Sequence, residues 1–160
     1  MIKRLILDVD GVLTSGQTIY SAAGKQYKVF GLHDRDGLKI MQDHNVAIDF
    51  ITADASGFSI TYARIVKDWG FADTQLHLVP EGTRLKWFEN NCTFENTAFI
   101  GDGYHDAPIL KKVAIGIAPN NARKEARAAA NYVTESASGY GAVLDACLYL
   151  ESVINGFEPI

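Results

Sequence analysis

The chain has 160 residues, 48% hydrophobic and 21% charged, enough for one domain with a sizeable core. A net charge of -4 and a pI near 5.5 provide no basic field for nucleic acid or anionic lipid, and no apolar run is long enough to span a membrane. Cys92 and Cys147 form no CxxC or metal spacing and read as core thiols of a reducing compartment. MIKRLILDVD is no signal peptide, so the cytoplasm is the expected location.

In chain order, the first apolar run, Leu5–Leu7, leads into Asp8 and Asp10 of LILDVDGVLT. Thr18–Phe30, TIYSAAGKQYKVF, then reads as a β-hairpin with Gly24 at its turn. Its Tyr20, Tyr27, Val29 and Phe30 would expose a costly apolar surface in a monomer, which favours an oligomer. A helical pattern over Asp36–His44 precedes the strand Val46–Ile51, which leads to Thr52. A helix over Ser56–Trp69, a strand over Leu76–Val79 and a helix over Thr83–Asn90 follow, the last with Arg84 and Lys86 near its start. The strand Ala98–Ile100 leads to Gly101 and Asp102, and a helix spans Asp106–Lys111. Strands at Ala114–Ile117 and Tyr132–Val133 flank a helix over Ala122–Ala130, and a helix over Gly141–Ile154 comes last. The closing NGFEPI reads as a loose tail or a docking arm. This alternation predicts one α/β domain over residues 1–160, a parallel sheet with helices on both faces and a protruding hairpin. The spacings Asp10 to Thr52 and Thr52 to Arg84 leave no room for a cap domain.

In a parallel sheet, every strand's C-terminal end points to one edge, where open α/β sheets bind ligands. The pattern therefore predicts that Asp8, Asp10, Asp102 and Asp106 gather beside Thr52. Like charges so close raise one another's pKa or require a cation, and oxygen-only ligands suit Mg²⁺. A carboxylate can attack phosphorus, and a neighbouring acid can protonate the leaving oxygen and then activate water. A cation at a helix start would complete the charge neutralisation of phosphoryl transfer, and the Gly11 turn offers backbone N–H groups to an anion.

Asp8-Val9-Asp10-Gly11-Val12, Thr52 after its apolar strand, and Gly101-Asp102-Gly103-Tyr104-His105-Asp106 resemble three motifs of the haloacid dehalogenase superfamily of phosphohydrolases. Within it the chain is similar to the capless 3-deoxy-manno-octulosonate 8-phosphate phosphatases and the related nonulosonate 9-phosphate phosphatases. DVDGVLT, the hairpin, FGLHDRDGLKI, GDGYHDAPIL, AIGIAPNNA, YVT and SGYGAV carry that likeness, from about Met1 to Leu150. The resemblance implies a Rossmann-like fold, Mg²⁺, and a homotetramer built by the hairpins, with neighbouring subunits closing each site. It implies that Asp8 is the nucleophile and a metal ligand. Asp10 is the general acid/base and offers its main-chain carbonyl to the metal. Asp102 is a ligand, Asp106 supports the metal shell, and Thr52 binds the phosphoryl group. A Lys usual in the third motif is matched by Arg84, with Lys86 the other candidate.

The chain departs from the octulosonate enzymes at two places. Ala53-Asp54 stands for a Gly-Arg, and Tyr140 for an Arg; the resemblance implies that those arginines meet a substrate carboxylate. The expected activity is a Mg²⁺-dependent phosphatase of a small sugar, sugar-acid or polyol phosphate. The alternatives are a phosphoprotein phosphatase with an open site, a phospho-accepting domain of the receiver type, or a non-catalytic assembly module. Receiver domains place their phosphorylated Asp at the end of a central strand, where this chain has Thr52. Thr52 and Asp106 could also be helix N-caps, and Asp34 and Asp36 read as caps. His44 and His77 read as structural, and His105 as a candidate for substrate contact.

Overall fold

The computed structural model describes residues 1–157, so the last part of the NGFEPI tail lies outside the described residues. Strand β1 (Arg4–Asp8) is at the centre of a six-stranded sheet of order β5-β4-β1-β6-β7-β8, every pair parallel. Its other strands are β4 (Ala47–Thr52), β5 (Leu76–Leu78), β6 (Thr97–Ile100), β7 (Ile115–Ala118) and β8 (Tyr132–Val133). A separate antiparallel pair, β2 (Thr14–Ser21) and β3 (Gly24–Phe30), forms the hairpin. The hairpin starts four residues earlier than the β-rich stretch indicated, because Thr14 already pairs with Phe30.

Helices cover both faces, as period-2 alternation in buried strands requires. Leu5 and Leu7 point to one side, with Phe50 and Ile100. There they meet Leu38 and Met41 of α1 (Asp34–Asp43) and Ala146, Cys147 and Leu150 of α6 (Ala142–Ile154). Ile6, Ile51 and Phe99 point to the other side. Their partners are Phe88 of α3 (Arg84–Asn91), Ile109 of α4 (Ala107–Leu110) and Ala126 of α5 (Lys124–Ala129). Helix α1 approaches α6 so closely at Gly37 that a Cβ there would stand 2.9 Å from the Leu144 Cα.

Three expectations change. The helix read over Ser56–Trp69 is a short α2 (Phe58–Tyr62) continued by a π-helical turn over Ala63–Asp68. Asp34 and Asp36 do not cap α1 but belong to its first turn, behind His33 in a left-handed conformation at φ 71°. Asp34 is buried, and burial pushes its carboxyl up to about 7 against the pull of the Val143 and Leu144 amides. Phe30 is half-buried rather than part of the hairpin's exposed surface, and it packs edge-on against Trp69 with ring centroids 6.5 Å apart.

His44 and His77 are tied to Glu151 and Asp49 at 3.1 and 2.8 Å. Cys92 and Cys147 are free thiols, half-buried and buried. No helix among the described residues is long and apolar enough to cross a membrane.

Candidate active site

Chain direction reverses its spread at β1: β4 and β5 lie to one side and β6, β7 and β8 to the other. Such a switch point opens a crevice at the strands' C-terminal ends. Asp8 ends β1, Thr52 ends β4, and Asp102 follows β6 by two residues. The pocket there has a volume of about 560 Å³.

Asp8, Asp102 and Asp106 each turn a carboxylate oxygen inward, all within 4.8 Å of one another. Asp8 and Asp106 are buried and Asp102 is half-buried. Asp106 earns that place by ordering its own loop: its Oδ2 accepts the Asp102 and Gly103 N–H groups at 3.0 and 2.8 Å. Asp106 also precedes α4, in the position of an N-cap.

Arg84, the first residue of α3, is 3% exposed and lies between these acids. Its Nη1 donates to Asp8 Oδ2 at 2.9 Å and to Asp106 Oδ1 at 2.6 Å. One guanidinium thus offsets part of a three-carboxylate cluster. What remains raises the pKa values of the acids. Burial pushes Asp8 well above the usual carboxylate range, and the Asp106 and Asp102 charges push it further, against Arg84. Burial and the Asp106 charge raise Asp102 to about 7. Burial opposes the charge on Arg84, but Asp8 and Asp106 outweigh it and hold the guanidinium protonated.

These residues fit a hard divalent cation. Oxygens around octahedral Mg²⁺ at about 2.1 Å stand roughly 3–4.2 Å apart, so a cluster of this span needs little closure. Raised pKa values in an oxygen-only set mark charge that a cation would neutralise. Asp8, Asp102 and Asp106 would hold it.

Asp10, two residues beyond Asp8, turns its side chain away from that cluster. Its Oδ2 accepts the Thr52 hydroxyl at 2.8 Å, and its Oδ1 meets Lys28 Nζ at 2.7 Å. Thr52 is fully buried and also accepts the Asp54 N–H at 3.1 Å, so it caps no helix. Gly11 gives its N–H to Thr14 Oγ1 at 3.1 Å, inside the turn rather than toward the pocket. Gly11 is a glycine for two reasons: its φ is 82°, and a Cβ would fall 2.1 Å from Asp102 Oδ2. Lys86 is exposed and does not line the pocket, whereas Arg84 does. His105 lines the pocket and is 3.6 Å from Glu81.

Sequence reasoning passed over Lys25 and Lys28 and met Asp54 only as a departure from the octulosonate enzymes. The Lys28 side chain is fully buried, held by Asp10, by Asp54 at 2.9 Å and by Thr61 Oγ1 at 2.9 Å. Lys25 reaches the same Asp54 at 2.5 Å. Alternation in KQYKVF puts Lys28 on the face of Phe30, but only the structure shows that this face packs on the body, where a buried lysine needs an anion.

The chain was compared with known proteins. The profile of haloacid dehalogenase-like hydrolases matches residues 87–146. The 3-deoxy-D-manno-octulosonate 8-phosphate phosphatase KdsC of Salmonella typhi is 31% identical over 152 residues, 91% of this chain and 77% of the relative. Among solved structures, the cobalt-bound deoxy-D-mannose-octulosonate 8-phosphate phosphatase of Haemophilus influenzae superposes with a TM-score of 0.78 at 28% identity, covering 97% of this chain and 90% of the other. The Moraxella catarrhalis phosphatase in complex with magnesium ion, phosphate ion and KDO gives 0.77 at 25% identity, covering 98% and 94%. With its switch-point carboxylates and this likeness along nearly its whole length, the chain belongs to the KdsC phosphatase family of haloacid dehalogenase-like hydrolases.

Proposed function

We propose that the chain is a Mg²⁺-dependent phosphatase of a small sugar, sugar-acid or polyol phosphate monoester, working through an aspartyl-phosphate on Asp8. The observation that carries this is the group of Asp8, Asp102 and Asp106 oxygens within 4.8 Å, with Arg84 against Asp8. Asp8, Asp102 and the Asp10 main-chain carbonyl, with Asp106 in support, would hold Mg²⁺, which would supply positive charge to the phosphoryl oxygens.

The Asp8 carboxylate attacks phosphorus. The Asp10 carboxyl gives its proton to the leaving oxygen. Asp10, now a carboxylate, takes a proton from the water that attacks the aspartyl-phosphate, and Asp8 is released with inorganic phosphate. Lys28 and Thr52 hold the two Asp10 oxygens and so fix its aim. The Thr52 hydroxyl, at the end of β4, is the group we assign to a phosphoryl oxygen, with Lys28 left to hold Asp10. Arg84 gives charge to the phosphoryl group from beside Asp8.

The hairpin presents Ile19, Tyr20, Tyr27 and Val29 to solvent, 52%, 64%, 64% and 41% exposed. We read this face as the contact of a homotetramer, and the cytoplasm as its compartment.

The test is phosphate release from a panel of phosphate esters, in Mg²⁺ and in EDTA. Wild type should turn over at least one sugar or polyol phosphate only with Mg²⁺. Asp8→Asn should lose at least about a thousandfold, because an amide does not attack phosphorus. Near-native turnover by Asp8→Asn would sink the mechanism.

A further inference from the structure

We infer that Asp54 is a positioning residue for the general acid Asp10, acting through the buried ammonium of Lys28. The inference rests on the phosphatase reading above.

Asp54 reaches Asp10 by two routes. Through the backbone, the Asp54 N–H donates to Thr52 Oγ1 at 3.1 Å, and the Thr52 hydroxyl donates to Asp10 Oδ2 at 2.8 Å. Through the side chain, Asp54 Oδ2 pairs with Lys28 Nζ at 2.9 Å, and Lys28 Nζ pairs with Asp10 Oδ1 at 2.7 Å. The two routes end on the two oxygens of one carboxyl. With Thr52 assigned to a phosphoryl oxygen, Lys28 is the partner of Asp10 that remains among the described residues.

An ammonium has three donors and no acceptor. Those of Lys28 meet three oxygens: Asp10 Oδ1, Asp54 Oδ2, and Thr61 Oγ1 at 2.9 Å. The Lys28 side chain is fully buried, so solvent does not compete for these bonds. A group that only donates leaves no place for a proton on Oδ1, so the acid carries its proton on Oδ2. Asp10 lines the pocket with 35% of its side chain exposed, where that oxygen can serve a leaving group.

Asp54 is built to hold Lys28 in place. Its Oδ1 accepts the Ser56 hydroxyl and the Gly57 N–H, each at 3.0 Å, and its Oδ2 also takes Lys25 at 2.5 Å. Burial works against the charge, but the bonds from Lys25 and Lys28 outweigh it and hold the carboxyl well below the usual carboxylate range. The hairpin therefore docks two lysines on one fixed anion, and the inner lysine passes that placement on to Asp10.

Asp54→Asn can keep its Oδ1 bonds to Ser56 and Gly57 while it turns an amide NH2 on Lys28, donor against donor. Lys28→Met removes the ammonium at similar bulk. Wild type, the two single variants and the double variant are assayed with Mg²⁺ on p-nitrophenyl phosphate, on phenyl phosphate and on the best ester of the panel above. Phenol is a weaker acid than p-nitrophenol, so its ester depends more on a well-aimed proton donor. Each single variant should lose activity and should widen the gap in kcat/KM between the p-nitrophenyl and phenyl esters by about tenfold. Asp54→Asn placed on Lys28→Met should cost nothing further on any ester, because the two residues act as one unit. Losses of equal size on both aryl esters overturn the inference, since a hairpin that merely undocks does not sort leaving groups. Losses that multiply in the double variant overturn it too, and both results leave the phosphatase reading standing. If wild type hydrolyses no ester with Mg²⁺, the phosphatase reading itself fails, and the inference with it.

Discussion

Replacing Arg84 by Met takes away the guanidinium that bridges Asp8 and Asp106 at 2.9 and 2.6 Å, deep under the pocket floor. The chain then keeps three carboxylates within 4.8 Å with no side-chain cation among them. At an effective dielectric of about 20, each charge pair at this range is worth about 4 kcal/mol before desolvation. Desolvation of the guanidinium offsets part of that, and removal of one partner from a buried pair costs about 3–5 kcal/mol in all. For a domain of this length that is a fall in Tm of roughly 6–20 °C. The carboxylates escape part of the cost by taking protons, so the loss should shrink toward pH 5. Mg²⁺ would neutralise the same three acids, so it should restore most of the lost stability and raise the Tm of the variant more than that of wild type. The assay is a thermal melt at pH 8 in EDTA and in millimolar Mg²⁺. A variant that melts with wild type in EDTA, or whose deficit Mg²⁺ leaves untouched, refutes the account of Arg84 as the internal counter-ion of the site.

Asp34 should set part of the pH dependence of stability. Its folded pKa is about 7 against an ordinary 3.8, so the folded state keeps a proton that the unfolded chain releases. Stability is then full at acid pH and is lost as pH rises from about 4 to 7, by up to about 4 kcal/mol at 1.36 kcal/mol per pKa unit. Asp34→Asn should melt higher than wild type at pH 8 by a margin that narrows toward pH 5, and a margin constant with pH would show that Asp34 is not the group. Gly11→Ala forces a Cβ to within 2.1 Å of Asp102 Oδ2 at a φ of 82°, so it should cut turnover by about a hundredfold and blunt the Mg²⁺-induced rise in Tm. Turnover close to wild type would mean that the turn has room to shift. The double change Tyr20→Lys and Tyr27→Lys should convert the proposed tetramer to monomers in sedimentation velocity without unfolding the chain. An assembly unchanged by two buried lysines would move the interface off the hairpin.

The element order, the parallel sheet and the edge on which Asp8, Thr52 and Asp102 meet were legible in the chain alone. Each rests on a short apolar run with a polar residue at its C-terminal end, and the βαβ rule orients all such ends the same way. Boundaries were less so. Thr14 joins the hairpin through pairing with Phe30, a cross-strand contact that no local pattern announces. The π-helical turn over Ala63–Asp68 is likewise announced by no local pattern; in it Ile65 is buried in the core, and Trp69 packs partly buried against that core.

At the site, sequence determined which residues could do chemistry, since residue type and spacing carry that information. Tertiary structure decided how they share charge. Arg84 and Lys86 are two positions apart on one helix, and a rotation of about 200° between them sends one to the acids and the other to solvent. Lys28 and Asp54 look like ordinary surface charges 26 residues apart in the chain, until the hairpin folds back and buries one against the other. Ion pairs of this kind depend on distances of a few ångströms across the fold, and no one-dimensional pattern contains those.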